Sequence, residues 1–365
     1  MVLQKLSLIN FRNLKNQEVN FSDRLNILFG NNAQGKTNLL EAIYLISTGK
    51  SFRTRVDHEL ISWGQGESRL LAKAGFLDIE VKIRPDEKAL LINKQKSKAT
   101  ELIGSFIAIV FTPADIEIVS GAPERRRKFI DQLASLLDKN YLYTLIQFNK
   151  VLRNRNQILW QLKNGKQADL SIWNRYLVKN AVSLWESRYR LVEKLNQELK
   201  ILGEKVTGNS LAIVYEPALP IDKTKTLRKN YAERLARLER EEINKGITLL
   251  GPQRDDFSLV SEEIREEKIT SKKLGVYGSR GEQRAATLAL KLSEVSLIKK
   301  EKNDTPVLLL DEVLSELDRE HREFLLRQIR GLQTFITTTS LENLKQEKIP
   351  LGAKFEITDG LITAR

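Results

Sequence analysis

Gly30-Asn31-Asn32-Ala33-Gln34-Gly35-Lys36-Thr37 has the spacing Gly-x4-Gly-Lys-Ser/Thr of a phosphate-cradling loop. Each part of it has chemical work to do. Gly30 lets the chain leave a strand through a conformation that other residues resist. Gly35 lets the backbone pass close to a phosphate. The N–H groups of Asn31, Asn32, Ala33 and Gln34, with Asn38 and the start of the following helix, present donors to an anion. Lys36 is placed to reach the β- and γ-phosphates, and the Thr37 hydroxyl to ligate Mg²⁺. Chance gives this pattern in on the order of one chain in a hundred of this length, so its context decides. Arg24 to Phe29 alternates like a strand feeding the loop. Leu39, Leu40, Ile43 and Ile46 recur on one side of a helix leaving it.

Far along the chain, Val307-Leu308-Leu309-Leu310 is a wholly apolar run followed by Asp311 and Glu312. Such a run reads as a strand covered on both faces in a parallel sheet. Acids at its end can stand beside the phosphate loop, Asp311 holding Mg²⁺ and Glu312 polarising an attacking water. A third segment, Tyr277 to Arg284, places Ser279, Gly281 and Gln283 at the start of a helix, where N–H groups and a hydroxyl make an anion site. One subunit does not need a second γ-phosphate site, so this segment is expected to serve a partner subunit. The plainer alternative makes Ser279 a helix cap with Gln283 nearby.

Composition narrows the class. The chain has 365 residues, 41% of them hydrophobic, which suits two domains or one lobed domain. No apolar run approaches the ~20 residues that span a bilayer, and the first residues are too polar for a secretory signal. The absence of cysteine fits a reducing cytoplasm and excludes a thiolate metal site. The two histidines, His58 and His321, argue against a histidine one. A net charge of +13 points to a polyanionic partner beyond one nucleotide, nucleic acid above all.

The remaining texture organises the chain. Residues 1–29 read as two strands around the turn Asn10–Leu14, and residues 68–98 as a meander. The polar, basic stretch 48–54 reads equally as a nucleotide contact or a solvated loop. From Gly121 to about 245 the pattern is helical, with two runs of about 25–30 residues, each about 40 Å long, making an antiparallel arm. Residues 203–226 read as a loop, and Thr248–Leu250 and Phe257–Val260 as strands. The expected architecture is α/β: a head of residues 1–120 and 246–365 with a mixed or parallel sheet, split by a helical arm at 121–245. Arg125-Arg126-Arg127-Lys128 fill the first turns of a helix starting at Pro123, against its dipole. They read either as a solvated helix face or as groups that meet an anion, with DNA phosphate slightly favoured over nucleotide or partner acids.

A phosphate loop, a Ser-x-Gly-x-Gln segment and an LLLDE strand trailed by SELD, in this order, resemble the ATPase head of the ABC class. INFRNL at 9–14, GNNAQGKTNLLEAIYLIS at 30–47, KSFRT at 50–54, FTPADIEIV at 111–119, GAPERRRKFID at 121–131, GPQRDD at 251–256 and SRGEQR at 279–284 resemble the bacterial RecF family along essentially the whole chain. The short insertion separates it from SMC and Rad50 proteins.

The resemblance implies an ATP- and Mg²⁺-dependent DNA-binding ATPase in the cytoplasm. Its heads would dimerise on ATP and clamp DNA, and it would act with RecR and RecO in gap repair and SOS induction. Gly30–Thr37 would be the Walker A loop, and Asp311 and Glu312 the Walker B acids. Ser279–Gln283 would be the signature acting across the dimer, and Arg12 and Asn13 nucleotide contacts. Thr339 and Ser340 stand where transporter ATPases carry a switch histidine, and the 111–118 segment has no Q-loop glutamine. Both departures favour slow turnover and weigh against the alternative of a membrane transporter's ATPase subunit. The short arm weighs against a chromosome-organising protein.

Overall fold

The computed structural model describes residues 1–219, 226–265, 268–341 and 352–365. Its packing divides the chain into two compact units, Met1–Asp115 with Lys291–Arg365, and Ile116–Leu290.

The first unit holds two six-stranded sheets. One is antiparallel, in the order Gln17–Asn20, Leu3–Ile9, Ser68–Ala74, Leu77–Ile83, Lys88–Ile92, Gln95–Ser97. Its strands alternate buried and exposed positions, as a sheet with one wet face must. The other runs Leu361–Ala364, Ala353–Thr358, Leu25–Phe29, Thr334–Thr338, Val307–Leu310, Ala108–Phe111, parallel except for the terminal hairpin. Here Val307–Leu310 is buried at every position, because both faces are covered.

What covers one face is the helix Lys36–Thr48. Its residues from Leu39 to Ser47 are all buried, and it shares one core with Leu6, Leu70 and Val81 of the antiparallel sheet and Leu28, Leu309 and Phe335 of the parallel one. A helix apolar all round belongs between two layers. Its first residue is therefore fixed at the carboxyl end of the parallel strands, where open α/β sheets carry their ligands.

The second unit is richer in strand than expected. The helices Pro123–Leu137, Lys139–Lys163, Ser171–Thr207 and Leu227–Lys245 are joined by a three-stranded antiparallel sheet of Lys268–Lys273, Asp256–Arg265 and Ser210–Glu216. Of the expected loop at 203–226, residues 203–207 close the Ser171–Thr207 helix and 210–216 are a strand, while 220–225 lie outside the described residues. The alternation of Leu211, Ile213 and Tyr215 is its signature. Thr248–Leu250 forms no strand. The first helical run breaks at Asp138, whose side chain caps the next helix through Asn140 N–H at 2.8 Å, and the second is 37 residues long. Because Ser210–Glu216 pairs with Asp256–Glu262, the strands after 246 pack with this unit. The units therefore divide after residues 115 and 290, where the sequence reading divided the chain after 120 and 245.

The cations of the Pro123–Leu137 helix meet the chain's own acids. Arg125 pairs with Glu117 at 2.8 Å, Arg126 grips both carboxylate oxygens of Asp256 at 2.6 and 2.9 Å, and Arg127 donates to the Asp255 carbonyl at 2.7 Å. The anions expected beside Arg125 and Arg126 are thus supplied by the chain itself. These bonds offset the unfavourable dipole, so the three arginines need no outside anion.

GPQRDD lies at the centre of the same unit. Asp255 is fully buried and accepts from Trp185 Nε1, Arg188, the Tyr215 hydroxyl and Ala218 N–H. Nearby, Arg155 and Glu242 form a second pair at 2.6 Å with both side chains fully buried, Arg155 also donating to Thr248 and Asn174. Removing one partner of a buried pair strands the other charge and costs about 3–5 kcal/mol. Glu242→Ala should lower unfolding stability by that amount in denaturant titrations. The double change Arg155→Met/Glu242→Leu should cost clearly less, since no unpaired charge remains.

Candidate functional site

The strand Leu25–Phe29 ends in the Gly30–Gly35 loop, and the helix starts at Lys36. Gly30 has φ +147°, and a Cβ there would press into the Ile357 carbonyl. Gly35 has φ +117°, and a Cβ there would stand 2.7 Å from Leu14 Cδ2. Side chains are excluded at both ends of the loop, Gly30 and Gly35, by conformation and by space. Gln34 is tied down by the Asp359 N–H to its Oε1 and the Gly360 N–H to its carbonyl. Lys36 is buried, and its ammonium donates to the Gly30 and Asn31 carbonyls at 2.8 Å each. Burial lowers its pKa, with Glu312 and Asp311 opposing the shift.

Thr37 donates its hydroxyl to Asp311 Oδ1 at 3.0 Å. This bond joins residues 274 positions apart and puts the phosphate loop and the acidic strand end into one site. Thr337, at the end of Thr334–Thr338, donates to the same Oδ1 at 2.9 Å and accepts the Glu312 N–H at 2.8 Å. Burial raises the Asp311 pKa, against the lowering effect of the Thr337 and Thr37 hydroxyls. Glu312 is exposed and has φ +55°, a left-handed conformation that costs a non-glycine residue of order 1 kcal/mol. Asn10, Arg12 and Ala33 are left-handed too.

Arg12 and Asn13 lie against the loop by different means. Arg12 is bidentate to Glu41, at 3.0 and 2.9 Å, and donates to the Glu59 carbonyl at 2.7 Å. Asn13 donates to the Ala33 carbonyl at 3.2 Å and accepts from Asn38 at 2.7 Å. Sequence reading missed Glu41, a fully buried carboxylate that also takes Ser51 and Arg53. An acid inside an apolar helical face was its signal. It missed Thr337 as well, which nothing distinguishes in the run TFITT. The basic stretch 48–54 is anchored here through Ser51 and Arg53.

Ser279, Gly281 and Gln283 belong to the second unit. Ser279 begins the Arg280–Lys302 helix with a reciprocal cap: its N–H donates to Glu282 at 2.7 Å and its hydroxyl accepts the Glu282 N–H at 3.2 Å. The Lys272 ammonium, then the Ser279 N–H, hold the Glu282 carboxyl down at about 2. Ser279 and Gly281 are exposed, and a Cβ on Gly281 would meet nothing nearer than 4.0 Å. Gln283 is buried, its amide donating to the Leu274 and Gly278 carbonyls at 3.1 Å each. It fixes the turn that presents Ser279. Among the described residues no cluster of three or more acids, histidines or cysteines could hold a metal, and no helix is long and apolar enough to cross a membrane.

The RecF/RecN/SMC N terminal domain family matches residues 2–358. The "DNA replication and repair protein RecF" of Clostridium acetobutylicum is 40% identical over 356 residues, covering 95% of each chain. That of Alkaliphilus oremlandii is 36% identical over 373 residues, covering 99% of this chain and 100% of the relative. The chain belongs to the RecF family. A solved structure described as the recombination mediator protein RecF-ATPrS in the RecFOR pathway superposes with a TM-score of 0.90 at 33% identity, covering 100% of this chain and 98% of the other. An Smc head solved with the C-winged helix domain of ScpA, at 0.57 and 14% identity over 100% and 96%, shares the fold. The ABC-type α/β head with its helical insertion is thus the fold of this RecF-family chain.

The raised Asp311 pKa has a measurable consequence. Above that pKa the folded state carries a carboxylate that burial disfavours, and this penalty fades as pH falls toward the ordinary value of 3.8. Asp311→Asn keeps an oxygen for both threonine hydroxyls and removes the charge. Its thermal unfolding midpoint should exceed that of the wild type at neutral pH, and the two should converge as pH approaches 4. A lower midpoint at neutral pH would contradict the assignment.

Proposed function

We propose that this chain is a slow, Mg²⁺-dependent, DNA-associated ATPase of recombinational repair, in which ATP binding drives two heads together on DNA and hydrolysis releases them. The observation that carries the reading is the Thr37–Asp311 hydrogen bond, which assembles a Walker-type site from distant segments. Mg²⁺ fits this pair, since it keeps several waters and needs only one or two protein oxygens beside the phosphates. Thr37 would ligate it and Asp311 hold it through water; when bound it neutralises charge on the phosphate oxygens.

Lys36 would turn from the loop carbonyls to the β- and γ-phosphates, with N–H groups of Asn31–Gly35 and Asn38 around them. Arg12 and Asn13 would flank the nucleotide. Glu312 would accept a proton from the water that attacks the γ-phosphorus, as the bond to the leaving ADP oxygen breaks. Ser279 and Gly281, exposed at a helix start, would close on the γ-phosphate of the partner subunit's nucleotide, with Gln283 supporting them. The net charge of +13 supports DNA as partner, and the missing switch histidine and Q-loop glutamine support slow turnover. The relatives' names and the RecFOR description support a role in DNA replication and recombinational repair, and from the family resemblance we infer a cytoplasmic role in gap repair, replication restart and SOS induction with RecR and RecO.

Lys36→Met should weaken ATP binding by tenfold or more, since hydrogen bonds to charged groups contribute roughly 1.5–3 kcal/mol each. Equilibrium titration with labelled ATP checks this, and wild-type affinity would refute the site. Glu312→Gln should bind ATP normally and hold the dimer longer, because Asp311 remains while the base is gone. Sedimentation with ATP reads the dimer, and filter binding on duplex and gapped DNA reads the clamp. Failure of this variant to bind ATP would make Glu312 a structural residue.

A further inference from the structure

Trp63 is fully exposed. It is followed by Gly64-Gln65-Gly66, and a Cβ added at either glycine would meet no atom within 4 Å. A tryptophan left in water forgoes one of the largest apolar burials available to any side chain. The backbone that carries it is nevertheless well fixed. The Ser62 N–H donates to the Asn10 carbonyl at 2.9 Å, and the Ser62 hydroxyl to the Arg12 carbonyl at 2.5 Å. The Arg12 N–H donates to the Leu60 carbonyl at 2.9 Å, and Phe11 bridges to Ile61.

Trp63 is therefore held one residue beyond a bond to the Asn10–Asn13 turn. That turn sends Asn13 to the loop carbonyl of Ala33 and to Asn38, and Arg12 to Glu41. Two hydrogen-bonded steps thus link the segment that carries Trp63 to the phosphate loop, and its indole is open to solvent. Phe76, another strongly exposed aromatic, makes the contrast. It follows Gly75 beyond the far end of the Ser68–Ala74 strand, which is about 23 Å long at 3.3 Å per residue, on the edge near Met1.

We propose that Trp63 is the base-stacking platform of the nucleotide site, receiving the purine of a nucleotide whose phosphates lie in the Gly30–Thr37 loop. The inference rests on the nucleotide reading above and adds the base to it. The loop recognises polyphosphate through N–H groups and Lys36, and none of these groups reads a base. An open indole supplies what is missing, because every purine has a π face. Stacking of this kind separates a nucleotide from bare polyphosphate and discriminates little between adenine and guanine.

Calorimetric binding of Mg-ATP and of magnesium tripolyphosphate to the full chain, Trp63→Ala and Trp63→Phe tests this. Trp63→Ala should weaken ATP about tenfold, the scale of one lost base–aromatic stack, and leave tripolyphosphate unchanged. Trp63→Phe should stay within about threefold of wild type for ATP, since a phenyl ring still stacks. Unchanged ATP affinity in Trp63→Ala overturns the proposal. An equal loss for both ligands also overturns it, because the substitution would then act through the loop. If the wild type bound neither ligand, the nucleotide reading itself would fall, and this inference with it.

Discussion

One carboxylate oxygen, Oδ1 of Asp311, accepts hydroxyls from Thr37 and Thr337. Through it the ends of Leu25–Phe29, Val307–Leu310 and Thr334–Thr338 are brought to a common point, although the three strands come from opposite ends of the chain. Two hydroxyl donors partly compensate a carboxylate that burial disfavours. The remaining penalty is tolerable because the Lys36–Thr48 helix is locked in a core shared by both sheets. The site thus depends on packing that lies well behind it.

Part of the backbone strain follows the same arrangement. Of the eight left-handed non-glycine residues among those described, Asn10, Arg12, Ala33 and Glu312 belong to the loop, the turn beside it or the acidic strand end. Each is over-determined by its neighbours: Arg12 by Glu41, Glu59 and Leu60, and Glu312 by Thr337. Strain persists only where surrounding bonds fix it. Glu312 gains from this, since the left-handed turn leaves its side chain exposed while its N–H is bound.

The phosphate loop, the LLLDE strand and the burial of that strand were legible in the sequence because they depend on local pattern: glycine spacing in one, an unbroken apolar run in the other. Glu41 and Thr337 were not, because their roles come from tertiary partners that sequence spacing does not reveal. The strand Ser210–Glu216 was hidden by Gly203, Gly208 and Pro217 around it, which read as loop chemistry although its own alternation is regular. The hairpin Ala353–Thr358 and Leu361–Ala364 is short, and its sheet role is decided by pairing with Leu25–Phe29. Arg125 to Arg127 show the opposite error. Counting charge along a helix found an electrostatic conflict but not its resolution, which lies in Glu117, Asp255 and Asp256.

That resolution explains why GPQRDD is rich in charge yet largely withdrawn from solvent. Asp255 binds a tryptophan, an arginine, a tyrosine and a backbone N–H, and Asp256 a second arginine. Replacing such a network by apolar side chains often costs little stability, so burial energy alone does not account for it. What the network adds is geometry: Asp255 fixes the register between the Ser171–Thr207 helix and the strand Ser210–Glu216, and Arg126 and Arg127 clamp the Pro123–Leu137 helix to the same segment. A bidentate arginine tolerates only a narrow range of angles. A slip of any one element would break several charged bonds together, whereas an apolar core would accommodate small slips gradually. The second unit is therefore built to hold one arrangement.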